Sequence, residues 1–117
     1  MKKEEKLYLM HIVEAFGRIE TYINPGRSEF LRNQMMQDAV VKVLANLTES
    51  VGNLPQATKA AYPDMPWGMV KAFRNVLVHE YLGDLELDEM WKIIHDDLPE
   101  FVDAAKKILK EKYGTEL

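Results

Sequence analysis

The chain contains no cysteine, which excludes both a disulfide framework and a thiolate metal site. It has no uninterrupted apolar stretch long enough for the core of a signal peptide or for a membrane span. The opening Met1-Lys2-Lys3-Glu4-Glu5-Lys6 is charged and leads straight into an amphipathic pattern. A soluble, cytoplasmic protein without membrane contact is expected. Sustained strand alternation, internal repeats and low-complexity tracts are missing as well. Basic charge is in deficit, with 15 Lys and Arg against 19 Asp and Glu and a formal net charge of -4. That excludes a surface that grips nucleic acid all over, but it leaves room for a local basic site. The charge is uneven. Residues 66–82 hold Lys71 and Arg74 against Glu80, whereas residues 83–100 hold Asp84, Glu86, Asp88, Glu89, Asp96, Asp97 and Glu100 against Lys92 alone. Phosphate chemistry belongs with the first stretch; the second reads as a solvated face or as a docking surface for a basic partner.

The 117 residues, 47% hydrophobic and 29% charged, fit one globular domain spanning 1–117. Leu9, Ile12, Val13, Phe16, Ile19 and Ile23 recur at helical spacing and mark a first helix over about 4–23. Asn24-Pro25-Gly26 ends it. Ser28 is a candidate cap for the next helix. Met36, Val40, Val43, Leu44, Leu47 and Val51 place a second long helix at about 29–51, closed by Gly52 and Pro55. A short helical turn is expected from Pro55. Tyr62-Pro63-Asp64-Met65-Pro66-Trp67 should be largely extended, since each proline pushes the residue before it out of the α region. Pro66 suits the first turn of a third helix, about 66–81, with Gly83 closing it. Asp88 is the expected cap of a last helix over about 89–112, with Ile94, Leu98, Phe101, Val102, Ala105, Ile108 and Leu109 inward. Pro99 should kink or restart that helix near Asp96 and Asp97. The expected class is all-α: an up-and-down four-helix bundle with a short extra helical turn, pairing through a leftover apolar face into a two-fold dimer.

The chemistry concentrates in Arg74-Asn75-Val76-Leu77-Val78-His79-Glu80-Tyr81. On a helix with Arg74 at zero, Asn75 falls at about 100°, His79 at about 140° and Tyr81 at about 340°. Met69, Val70, Phe73, Val76 and Leu77 crowd the arc at roughly 200–320°. One side is apolar; the other carries a guanidinium, an amide, an imidazole and a phenol. Asn75 and His79 are i,i+4 neighbours, so the amide can orient the ring. Glu80 lands in the apolar arc, so either the helix is ending there or Glu80 faces a partner subunit. Arg forks onto phosphate oxygens, and His suits proton transfer near neutrality. Together they can support attack of an RNA 2′-hydroxyl on its own phosphodiester without a metal. A base and an acid are both needed, and a two-fold dimer would supply two His and two Arg. The spacing equally fits a structural role, with Arg74 paired to Glu80 or Glu49, Asn75 bonded to backbone and His79 a polar residue at a helix end.

The segment also resembles a known family. Arg74 to Tyr81 is similar to the Arg, four residues, His, any, Tyr signature of the HepT-like toxins, a branch of the HEPN superfamily of helical-bundle ribonucleases. Tyr62 to Trp67 resembles that family's approach to the signature helix; Trp91, Leu98-Pro99, helix number and length agree. The resemblance covers nearly the whole chain. It implies Arg74 and His79 as the catalytic pair, Asn75 as the polar supporting position, and Tyr81 as the tyrosine that an MntA-like nucleotidyltransferase antitoxin modifies with AMP. It further implies a homodimer with the signatures facing one cleft, RNA (a tRNA or an mRNA) as substrate, and no metal or cofactor. An AMP group beside Arg74 would put bulk and a phosphate anion where the scissile phosphate should sit. The alternative from another class is a non-catalytic nucleotide-binding or accessory helical module partnering a nucleotidyltransferase. A plain structural dimer is the third reading.

Glu80 and Glu49 stand as possible supporting acids. His11 reads as a surface residue. His95 with Asp96 and Asp97 makes a poor metal cluster, because adjacent helical positions point different ways. Trp67 and Trp91 read as core anchors.

Overall fold

The computed structural model describes residues 2–84 and 86–115, with side chains from residue 4 onward. The described residues form helices and no strand, which makes the fold all-α. Helix α1 spans Lys2–Ile23, α2 Arg27–Arg32, α3 Gln34–Gly52, α4 Gln56–Ala61, α5 Met69–Tyr81 and α6 Leu87–Lys92. A π-type turn over Ile93–Asp97 joins α6 to α7, Leu98–Tyr113. None of these helices is long and apolar enough to cross a membrane.

The four long helical stretches are those the periodicity leads one to expect. Their stripes are buried: Leu9, Ile12, Phe16 and Ile19 from α1, Met36, Val40, Val43, Leu44, Leu47 and Val51 from α3, and every expected inward residue of the last helix. Contacts at the helix ends give the directions. His11 meets Ser50, and Tyr22 shares a hollow with Met36, so α1 and α3 run antiparallel. Glu5 meets Lys112 and Tyr113, so α7 also runs antiparallel to α1. Glu80 shares a hollow with Gln37 and Val41 while Arg74 reaches Gly52, so α5 runs antiparallel to α3.

Helix boundaries depart from the periodicity where side chains compete with the main chain. The second helix, expected over 29–51, is broken at Asn33, which takes an extended conformation at φ -109 and ψ 102. The Asn33 side chain accepts the Met36 N–H at 3.0 Å, capping α3, a contact that usually stabilises by about 1 kcal/mol. Gln37 Nε2 donates to the Phe30 carbonyl at 2.9 Å, satisfying an acceptor that α2 leaves open. Ser28, the expected cap, lies inside α2; Gly26 at φ 103 stands at the cap position. Asp88 is not the cap of the last helix either. Glu86 stands at the cap position, and Asp88 pairs with Arg27 at 2.5 Å, tying α6 to α2. Pro99 acts as expected but without breaking the helix. It has no N–H to give, and the chain widens into the π-type turn, where the Leu98 N–H reaches back to the Ile93 carbonyl.

The Tyr62–Trp67 segment is folded into tight turns rather than extended. The Met65 N–H bonds the Tyr62 carbonyl at 3.1 Å, and Trp67 Nε1 donates to the same oxygen at 2.9 Å. Proline does keep Tyr62 out of the α region, at φ -125 and ψ 64, but the next residues turn back. Consequently α5 begins at Met69, three residues after Pro66.

One buried carboxylate holds three elements together. Glu5, in the first turns of α1, accepts hydrogen bonds from Thr58 of α4 and Tyr113 of α7, and pairs with Lys112 Nζ at 2.6 Å. Burial alone would raise its pKa, but the Lys112, Thr58 and Tyr113 donors together outweigh it and hold the carboxyl below its ordinary value. Burial and the Glu5 contact push the Tyr113 phenol up, so it stays a donor. Because the folded pKa is depressed, this contribution is complete above the ordinary glutamate value of 4.5 and disappears as pH falls through the folded value. Urea unfolding should therefore show wild-type stability falling more steeply than that of Glu5→Gln between about pH 5 and pH 2. At neutral pH the variant should be less stable by about 1–3 kcal/mol.

Candidate active site on α5

Val70, Phe73 and Val76 bury one side of α5, and Phe73 meets Phe101 of α7 edge to face at 5.7 Å between ring centres. The opposite side is left in solvent. It exposes Arg74, Asn75, Val78, His79 and Tyr81, with Tyr81 86% accessible. The four residues singled out by their chemistry thus share the solvent side of one helix.

Arg74 lies against the carboxyl end of α3: a Cβ built on Gly52 would stand 3.4 Å from its Nη2. The negative end of the α3 dipole favours a cation there. Among the described residues Arg74 makes no hydrogen bond or ion pair, so neither Glu49 nor Glu80 neutralises it. Glu49 is exposed in the last turns of α3. Glu80 is half-buried and lines a hollow with Gln37, Asp38, Val41 and Leu87 on the α3 side, while the helix ends one residue later.

His79 is positioned by the way α5 stops. Gly83 adopts φ 82, its N–H bonds the Glu80 carbonyl at 3.0 Å, and the Asp84 N–H bonds the His79 carbonyl at 2.9 Å. This paired arrangement is the Schellman termination, which needs a left-handed residue that glycine supplies without strain. It folds Asp84 back beside His79, and Nδ1 of the ring lies 3.2 Å from Asp84 Oδ1. Asn75 does not hold the ring as its spacing allowed; the carboxylate of Asp84 does. Residue spacing hid this partner, because position 84 lies beyond the helix. The Leu82-Gly83 stop was the signal that could have revealed it.

Two apolar residues also escaped the sequence reading. By the helical repeat, Val78 at about 40° and Leu82 at about 80° stand between Arg74 and His79. They are 54% and 67% accessible.

The remaining candidates lie elsewhere. His11, expected at the surface, is half-buried, and its Nδ1 lies 2.5 Å from Oγ of buried Ser50. His95 bonds the adjacent Asp96 at 3.0 Å, contrary to the expected divergence, and stacks on Trp91 at 5.4 Å. Trp67 and Trp91 pack against the core as expected, on Phe101 and Phe30 respectively. Among the described residues no group of three or more His, Asp or Glu could hold a metal ion.

An all-α bundle presenting a guanidinium, an amide, an imidazole and a phenol on the open side of one helix defines a class equipped for phosphate binding and proton transfer. The family model described as ribonuclease HepT-like matches residues 12–108, and the chain belongs to that family. It is 32% identical over 111 residues to a protein of Thermococcus cleftensis named "Probable ribonuclease HepT", covering 94% of this chain and 100% of that one. It is 30% identical over 112 residues to a Methanocaldococcus jannaschii protein named "Gamma-glutamylcyclotransferase and putative RNase". That match covers 95% of this chain and spans only 50% of the longer protein. A Caldanaerobacter subterraneus protein named "Putative RNase" is 29% identical over 111 residues, covering 94% of this chain and 98% of that one. No solved structure matches the chain.

Gly83→Ala isolates the terminating turn, since open space surrounds the position and only the left-handed backbone is strained. Thermal unfolding should show a loss of about 1 kcal/mol.

Proposed function

We propose that this chain is the toxin of a toxin–antitoxin pair, a metal-independent endoribonuclease that works as a homodimer and is silenced by AMP on Tyr81. The observation that carries the reading is the solvent-facing side of α5, where Arg74, Asn75, His79 and Tyr81 stand exposed and Arg74 has no carboxylate partner among the described residues. A neutralised arginine would have argued for structure; an open one is available to a phosphate. Membership of the ribonuclease HepT-like family supports the same chemistry.

In this reading Arg74 binds the scissile phosphate and stabilises the charge that builds on its free oxygens. A His79 ring takes the proton of the 2′-hydroxyl as the 2′-oxygen–phosphorus bond forms. The bond to the 5′-oxygen breaks, and the leaving oxygen takes a proton from a second acid. The products are a 2′,3′-cyclic phosphate and a 5′-hydroxyl. A second copy of the chain supplies that acid as its own His79, and Val78 and Leu82, apolar and exposed on the polar side of α5, suit an interface between copies. Asn75 supports the pair from the same face. Tyr81 is accessible enough to be modified by a nucleotidyltransferase, and an AMP there would crowd Arg74 with an anion. With a net charge of -4, RNA contact is confined to this cleft, and affinity should fall with salt at a slope set by the few phosphates contacted there.

The test is cleavage of a bulk tRNA preparation in EDTA by protein whose intact mass shows Tyr81 unmodified. Wild type should degrade the RNA, and His79→Ala and Arg74→Ala should each lose about 100-fold or more in rate. Intact RNA from an unmodified wild-type dimer would favour the accessory-module reading, and full activity from a forced monomer would remove the shared cleft.

A further inference from the structure

We propose that Asp84 is the positioning residue of His79, fixing which ring nitrogen carries the proton; this rests on the nuclease reading above for its catalytic consequence. The geometry is specific. Asp84 is tied to His79 twice, through its own N–H to the His79 carbonyl at 2.9 Å and through its carboxylate to Nδ1 at 3.2 Å. The first tie belongs to the main-chain turn at Gly83, so the backbone holds residue 84 beside residue 79 and its carboxylate within reach of the ring. An ionised carboxylate can only accept, so a neutral His79 paired with it must carry its proton on Nδ1. Nε2 is then left with its lone pair, as a nitrogen that can accept a proton from a hydroxyl. Once it has done so, the carboxylate sits beside the imidazolium that results and stabilises its charge. Asp84 itself exchanges no proton in the reaction, and it acts only through the ring.

Free imidazole side chains favour the opposite tautomer, with the proton on Nε2. The pairing therefore leaves a spectroscopic signature that requires no RNA. Long-range nitrogen–proton NMR of the histidine rings, at a pH where His79 is neutral, should show the Nδ1–H form in wild type and the Nε2–H form in Asp84→Ala. Alanine keeps the main-chain N–H of the turn, and Asp84 is exposed, so the variant retains the bundle. In the tRNA cleavage assay Asp84→Ala should lose about tenfold in kcat with KM changed less than about twofold, since a misdirected base impairs the chemical step and not binding. Glu86→Ala, which removes an exposed carboxylate two residues away, should match wild type in both measurements. An unchanged tautomer in Asp84→Ala, or an unchanged kcat in an active nuclease, overturns the proposal. If wild type leaves RNA intact while the tautomer still switches, the nuclease reading fails and the positioning of His79 by Asp84 stands.

Discussion

The burial of Phe73 against Phe101 decides how α5 is rotated, and nearly everything about the candidate site follows from that rotation. Phe73 is wholly inaccessible and meets Phe101 edge to face, with Val70 and Val76 beside it on the same stripe. A helix advances about 100° per residue, so fixing one stripe fixes all the others. Arg74, Asn75, His79 and Tyr81 are thereby sent to solvent together, with no contact among them needed to gather them. The candidate site is an outward face of a helix.

Charge is treated in opposite ways at a buried and an exposed position. Glu5 is buried, and its carboxylate is met by a lysine and two hydroxyl donors, so that a costly buried anion becomes a tie among α1, α4 and α7. Arg74 is exposed, lies at the negative end of α3 and has no carboxylate partner among the described residues. A protein can leave a cation unpaired in water at little cost, whereas it cannot leave one unpaired in the core. An unpaired arginine at the surface is thus inexpensive to keep and ready for an incoming anion.

The places where the chain changes direction obey local rules of a different kind. At Asn33 a side-chain amide replaces a main-chain donor's partner and splits one helix into two. At Pro99 the missing N–H widens a helix into a π-type turn without ending it. At Gly83 a left-handed residue turns the chain back and sets a carboxylate beside an imidazole. Each is a small substitution of one hydrogen-bond partner for another. Hydrophobic periodicity does not register such exchanges, because it averages over whole turns.

By itself the sequence determined the all-α class, the four long amphipathic stretches and the set of polar residues sharing one side of α5. Those rest on period and residue type, which are local properties of the chain. Arg74, Asn75, His79 and Tyr81 were legible for that reason, as was the buried stripe opposite them. The break at Asn33 and the folded Tyr62–Trp67 turns rest on local hydrogen bonds that periodicity does not register, whereas the pairing of His11 with Ser50 and the Glu5 cluster were decided only by tertiary structure. The same is true of the freedom of Arg74 from Glu49 and Glu80. In each case the outcome turns on which of several possible partners lies within hydrogen-bond reach, a distance of about 3 Å. Helical spacing brings many candidates onto one face, but only the packed chain selects among them.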